Sequence, residues 1–260
     1  YRPKEWVTLL TDIDFVILPH ATEDRESAKN TQALMTSLLD SIGIKADGCL
    51  SSSIRHRTMG QLNDRFGPGN QIYLTELPGF RFLMDAQVID SCEAQPESSL
   101  STSTYQHELS ELQYSIAYSD PERTIATILV SFQEKFSETR DRFYEIKNNP
   151  LRLFHYALYA ARSRWGIIDS NFWMVINELD KRGHIDPATT DTVVHALRFF
   201  ITLRHLLVFS NSTNNNSESI PSEMIPTIAQ TLGLSRTELD QQIAQHRGTL
   251  VDAASRLIEE

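Results

Sequence analysis

Two carboxylates stand one residue apart in the stretch "TDIDFVIL" (Thr11–Leu18), where Asp12 and Asp14 precede the apolar run Phe15 to Leu18. Ile, Phe and Val favour a pleated, half-buried surface and Asp disfavours it, so the placement costs stability unless the acids are used. In a strand, residues two apart share a face at a separation of about 6.5–7 Å, and Asp12 and Asp14 then project together. Their mutual repulsion is relieved by a cation between them, and hard oxygen donors of this kind suit Mg²⁺, or Mn²⁺, holding substrate phosphates. A third acid from another strand completes a site that orients a triphosphate, and Asp85, set among apolar neighbours in "FRFLMDAQVID", is the best-placed candidate. The plainer reading of an Asp-x-Asp pair is a solvated face at the start of a strand. The four apolar residues that follow at once favour the start of a central strand instead.

A basic stretch lies between these acids. Arg55, Arg57 and Arg65 with His56 gather in "SSSIRHRTMGQLNDR", where Arg55 and Arg57, with Ser51 and Ser52, suit nucleotide phosphates or equally form a solvated loop. Four histidines, His155, His184, His195 and His205, are scattered without metal spacing and read as packing or surface residues. Arg152, Arg162 and Arg164 either reach toward a cleft or make helix-surface ion pairs. Trp165, Phe172 and Trp173 read as plugs of a helical core around Gly166.

The elements that must position these groups fall into two halves. Trp6–Ser91 reads as mixed α and β: a strand to Leu18, a helix from Asp24 to Ile42 stopped by Gly43, a strand over "IKADGCL", and a second candidate strand over Phe80–Asp90 that a short helix from Pro78 fits as well. Ser/Thr-rich "EAQPESSLSTST" (Glu93–Thr104) reads as a linker, dividing residues 1–95 from 105–260. Beyond it only helices are expected. The first has Asp120 as N-cap, Pro121 at its first position and the stripe Ile125, Ile128, Leu129, Phe132, Phe136, Phe143, Ile146. The next opens at Asn149-Pro150 and runs to Trp165; another, capped by Ser170, ends before Gly183; and a third runs from Asp186-Pro187 to Phe209. A helix over Glu223–Leu232 ends at Gly233, and the capping box Ser235 to Glu238 launches the last. The fold expected is α+β, a mixed-sheet domain followed by an all-helical bundle.

Composition narrows the function. A chain of 260 residues, 40% hydrophobic and 22% charged, is ordinary globular material. Its net charge of −10 argues against neutralising many nucleic-acid phosphates, so no nucleic-acid partner is expected. Two cysteines, Cys49 and Cys92, fit free thiols in a reducing compartment, hence a cytoplasmic location. No apolar run approaches the roughly 20 residues that span a bilayer, and no membrane partner is expected. A chain beginning at Tyr1 reads as one trimmed at its N-terminus.

The stretch "TDIDFVIL" resembles the Asp-x-Asp strand of the DNA polymerase β-type nucleotidyltransferases, and specifically that of bacterial PII-protein uridylyltransferases. Further segments resemble the same family in the same order: "LMDAQVIDS" with Asp85 at the third acidic position, "EIKNNPLRLFHYALYAARSRWG" (Glu145–Gly166), "HALRFFITLRHLLVF" (His195–Phe209), and "IAQTLGL" followed by "ELDQQIAQHRGTLV". The resemblance implies metal-dependent transfer of a nucleoside monophosphate from a nucleoside triphosphate to an acceptor hydroxyl, with a protein as acceptor. Asp12, Asp14 and Asp85 would hold the metal. The family's hydrolase and regulatory domains have no counterpart here, so removal of the nucleotidyl group is not expected. Three departures stand beside it: Tyr1–Leu10 contains no glycine for the family's phosphate turn, Gln87 replaces an Arg, and Leu153 stands where the family has Asp. They leave open a second reading, a catalytically degenerate module that senses nucleotide or binds protein.

Overall fold

The computed structural model describes residues 17, 24–41, 57–66, 83, 102–118, 121–169, 171–210 and 219–259. Of these, 84% are helical, and none belongs to a strand or sheet. The mixed-sheet α+β domain is therefore not supported. The β-favouring runs that suggested it lie outside the described residues except at two points, and neither is a strand. Leu83, inside the Phe80–Asp90 run, is helical and buried. Ile17 has no regular structure, and its N–H goes to the Gln32 side chain (3.4 Å) rather than to a strand carbonyl.

The chain divides into two compact units, Tyr1–Arg123 and Thr124–Glu260, parted in the first turn of a helix. In the first unit, α1 (Arg25–Ser41) buries Ala28 and Gln32, while Leu34 and Leu38 on its apolar stripe are 60% and 57% exposed. Helix α2 (Met59–Phe66) buries Leu62 and Phe66 and packs on α3 (Thr102–Tyr118), whose Leu109 and Leu112 are buried. The Gln113 amide on α3 donates to the Leu83 carbonyl (2.7 Å), a buried bond that ties residues 30 apart in sequence. Thr102, Ser103 and Thr104, read as the end of a linker, are the first turn of α3.

The second unit is built from α4 (Pro121–Thr139), α5 (Leu153–Trp165), α6 (Phe172–Lys181), α7 (Pro187–Ser210), α8 (Ile225–Thr231) and α9 (Arg236–Glu259). Ile125, Ile128 and Phe132 form the buried stripe of α4; Phe143 and Ile146, placed on the same helix by their spacing, follow its end. Every residue of α5 from Leu153 to Ser163 except His155 is buried, the pattern of a helix with no solvent face. Helix α9 packs on both α5 and α7, and α6 touches the same two helices.

The helix ends follow their cap chemistry. Asp186 accepts the Thr189 N–H (3.0 Å) ahead of Pro187, and Ser235 and Glu238 exchange reciprocal bonds (Glu238 N–H to Ser235 Oγ 3.2 Å, Ser235 N–H to Glu238 Oε2 2.7 Å). Gly166, Gly183 and Gly233 stop their helices at positive φ of 66°, 76° and 71°, where a Cβ would be strained. The cap of α6 is Asn171, whose Oδ1 accepts the Trp173 N–H (3.0 Å), one residue past the expected Ser170.

Candidate functional site

Of the residues singled out for chemistry, Asp12, Asp14, Ser51, Ser52, Arg55 and Asp85 lie outside the described residues. Arg57 is half-buried, directly ahead of α2. The next residue, Thr58, caps that helix: its hydroxyl accepts the Gln61 N–H (3.2 Å) while the Gln61 side chain returns to the Thr58 N–H (3.2 Å). The same Gln61 Oε1 accepts Arg25 Nη2 (2.9 Å), so α1 and the entry to α2 are joined beside Arg57. Arg57 is thus held on a defined backbone at a helix N-terminus, where the first-turn N–H groups have no intrahelical acceptor.

Among the described residues no three His, Cys, Asp or Glu side chains gather to hold a metal ion. The segment Glu145–Gly166, which carries part of the family resemblance, forms a tied corner. It begins at an isolated bridge between Glu145 and Ser219, passes through the π-helical turn Lys147–Arg152, and enters α5. Within the turn Asn149 is extended (φ −142°, ψ 112°) and the Asn149-Pro150 peptide is cis. The buried Glu145 carboxylate accepts the Asn148 N–H (2.9 Å). From α9, the Arg247 guanidinium lies over the Phe143 ring (5.7 Å) and donates to the carbonyls of Arg142 (3.1 Å), Phe143 and Glu145 (2.6 Å). Burial lowers the Arg247 pKa and the Glu145 carboxylate partly restores it. Tyr144 Oη donates to Asp240 on α9 (2.8 Å), and burial first, then that bond, raises its pKa.

Arg247→Met keeps much of the apolar stem and removes every donor. Three carbonyls lose a charged partner at once, and the second unit is expected to lose about 2–4 kcal/mol. Urea titration checks this, and a loss under about 1 kcal/mol would mean that water replaces the guanidinium at little cost.

The arginines of α5 serve the fold. Arg164 donates to the Leu257 and Ile258 carbonyls (2.7 and 3.1 Å), satisfying acceptors that the last turn of α9 leaves open, and among the described residues it makes no ion pair. Arg162 is buried, over the Tyr159 ring (5.7 Å) and against the Ile168 carbonyl (3.5 Å). Leu153 is 0% exposed. Trp165 stacks on His184 (4.2 Å, 20°), and Phe172 and Trp173 pair at 4.5 Å, all half-buried rather than sealed in a core.

One group escaped the sequence reading. His246 on α9 is buried, with its ring against His195 (5.1 Å) and Phe199 (4.6 Å) of α7. Its position in the stripe Leu239, Ile243, His246, Leu250 is the signal that marks it as inward-facing. No described helix is long and apolar enough to cross a membrane. Comparison with known protein families, curated proteins and solved structures returns no match.

Proposed function

We propose that the chain is a metal-dependent nucleotidyltransferase that moves a nucleoside monophosphate from a nucleoside triphosphate to an acceptor hydroxyl, with a protein side chain as the acceptor class. The observation that carries the reading is the Asp12 and Asp14 pair ahead of an apolar run, with Asp85 next among the segments that follow in the family's order. Three carboxylates are a donor set suited to Mg²⁺ or Mn²⁺, and Asp12, Asp14 and Asp85 are the residues that would hold the ion. When bound, such an ion neutralises the triphosphate oxygens and favours departure of pyrophosphate. Arg55 and Arg57, with the Ser51 and Ser52 hydroxyls, supply donors for the phosphate chain. The acceptor oxygen bonds to the α-phosphorus as the bond from that phosphorus to the β-phosphate bridging oxygen breaks, pyrophosphate leaves, and the acceptor proton passes to water. The protein supplies position and charge rather than covalent chemistry.

The segments of the resemblance that lie in the second unit pack together. Glu145–Gly166 and His195–Phe209, two segments that resemble the family, lie apart in sequence, yet the turn in the first touches α7 and α9 packs on both α5 and α7. One observation favours the second reading, a degenerate module that retains nucleotide binding: Leu153 fills an acidic position of the family and is wholly buried. Thermal shifts with UTP, ATP, GTP and CTP, with and without Mg²⁺, separate the two. Stabilisation that requires the metal is expected of the enzyme. A metal-independent shift favours the degenerate module, and no shift with any of the four overturns both.

A further inference from the structure

An inference independent of nucleotide chemistry comes from the contact between α7 and α9. His195 projects from α7 against the edge of the His246 ring (5.1 Å, 62°), and Phe199, one turn on, closes over the same ring (4.6 Å). His246 is 8% exposed and occupies a core position of α9, whereas His195 is open to solvent. We propose that this histidine pair is an acid-sensitive latch: with both rings neutral it joins α9 to α7, and protonation of the buried His246 ring drives the helices apart.

Among the described residues of the other elements packed against α9, the acid brought nearest is Glu145, and it is already engaged. Helix α8 (Ile225–Thr231) contains no charged residue. From α5, Arg164 is bound to the carbonyls of Leu257 and Ile258, 11 and 12 residues farther along α9. The π-helical turn and the residues before it bring Lys147 and Glu145, and Glu145 lies with Arg247, whose guanidinium is engaged by the carbonyls of Arg142, Phe143 and Glu145. Along α7, Asp191 and Arg198 flank His195 one turn before and after it, opposite in sign. The charge that acts on His246 is that of His195.

Burial first, and the His195 charge second, hold the His246 pKa below the ordinary histidine range. Folding therefore favours its neutral form. The corresponding stability is complete above the unfolded value near 6.5 and is lost as the pH falls below it, because the unfolded chain then takes up the proton more readily than the folded one. Burial, then the Arg204 charge, also lowers the His205 pKa on α7, which gives a loss of the same sign, so the His195→Gln comparison is what isolates the pair. With a net charge of −10, mild acid otherwise relieves self-repulsion and stabilises the chain.

The test is amide hydrogen exchange across α9 in the full chain from pH 7.5 to 5, with imidazole titration followed by NMR. The His246 ring is expected to titrate below the ordinary histidine range, and α9 protection to fall by roughly tenfold for each pH unit that separates its folded and unfolded titrations. His195→Gln, at an exposed site that leaves the core intact, should raise the His246 titration and shrink the acid loss; His205→Gln, elsewhere on α7, should leave the His246 titration where it is. Constant α9 protection over this range overturns the latch, as does a His195→Gln protein with the same acid loss as the parent.

Discussion

Replacing Asp14 by Asn is expected to abolish nucleotidyl transfer while the chain still folds. Asn is nearly isosteric and keeps one oxygen, but it removes the negative charge that a divalent ion needs. The triphosphate then keeps its charge at the step where the bond to pyrophosphate breaks, and stabilisation of developing charge is commonly the largest single contribution to such a rate. A loss of at least about a hundredfold in kcat follows from the cost of deleting one preorganised electrostatic partner. Transfer of a radiolabelled nucleotide to an acceptor in lysate measures it, with far-ultraviolet circular dichroism as the control for folding. Turnover within a few-fold of the parent would remove Asp14 from the metal site and leave only the family resemblance.

The largest structural effect is expected from Phe154→Ala. Phe154 is fully buried in the first turn of α5, the helix on which the turn, α6 and α9 all pack. Truncating a buried phenylalanine costs about 3–5 kcal/mol, through lost transfer from water and through the cavity left behind. Domains of ordinary stability have about 5–15 kcal/mol in all, so the second unit would lie near its unfolding threshold at 37 °C. A urea midpoint lowered with unchanged slope is the expected signature. A loss below about 1 kcal/mol would mean that the helices collapse into the space, and that this core is less closely packed than its burial implies.

The second unit was legible in the sequence where local chemistry decides the outcome. Asp186-Pro187, Ser235 with Glu238, and the glycines at 166, 183 and 233 each act within one turn of chain, and each marks a helix end as expected. Helix α3 escaped because its first turn is Thr102, Ser103, Thr104 and Tyr105, residues that serve linkers as readily as helices; its buried Leu109 and Leu112 come later. The corner at Asn149-Pro150 was less legible: the π-helical turn sets the start of α5 three residues later than the proline suggested. The sheet was inferred from Ile, Val and Phe in short runs, and such runs also serve buried helices. Leu83 shows the ambiguity, since it is helical within one of them. Arg164 and Arg247 were beyond local reading for a different reason. Their acceptors are backbone carbonyls about a hundred residues away, and a carbonyl leaves no trace in residue type. Asp12, Asp14 and Asp85 were chosen from side-chain chemistry and family order, and they rest on those alone.

The Arg247 contacts have a consequence for synthesis. Its guanidinium reaches back 105 residues to the Arg142 carbonyl, and Tyr144 reaches forward 96 to Asp240. On the ribosome, α4 to α7 emerge with one flank uncovered and wait for α9 before that flank can close, so the nascent chain carries exposed apolar surface for nearly the whole translation of this unit. At about 5–20 residues per second the wait lasts roughly 5–20 s, during which the apolar flank that α9 later covers is open to aggregation.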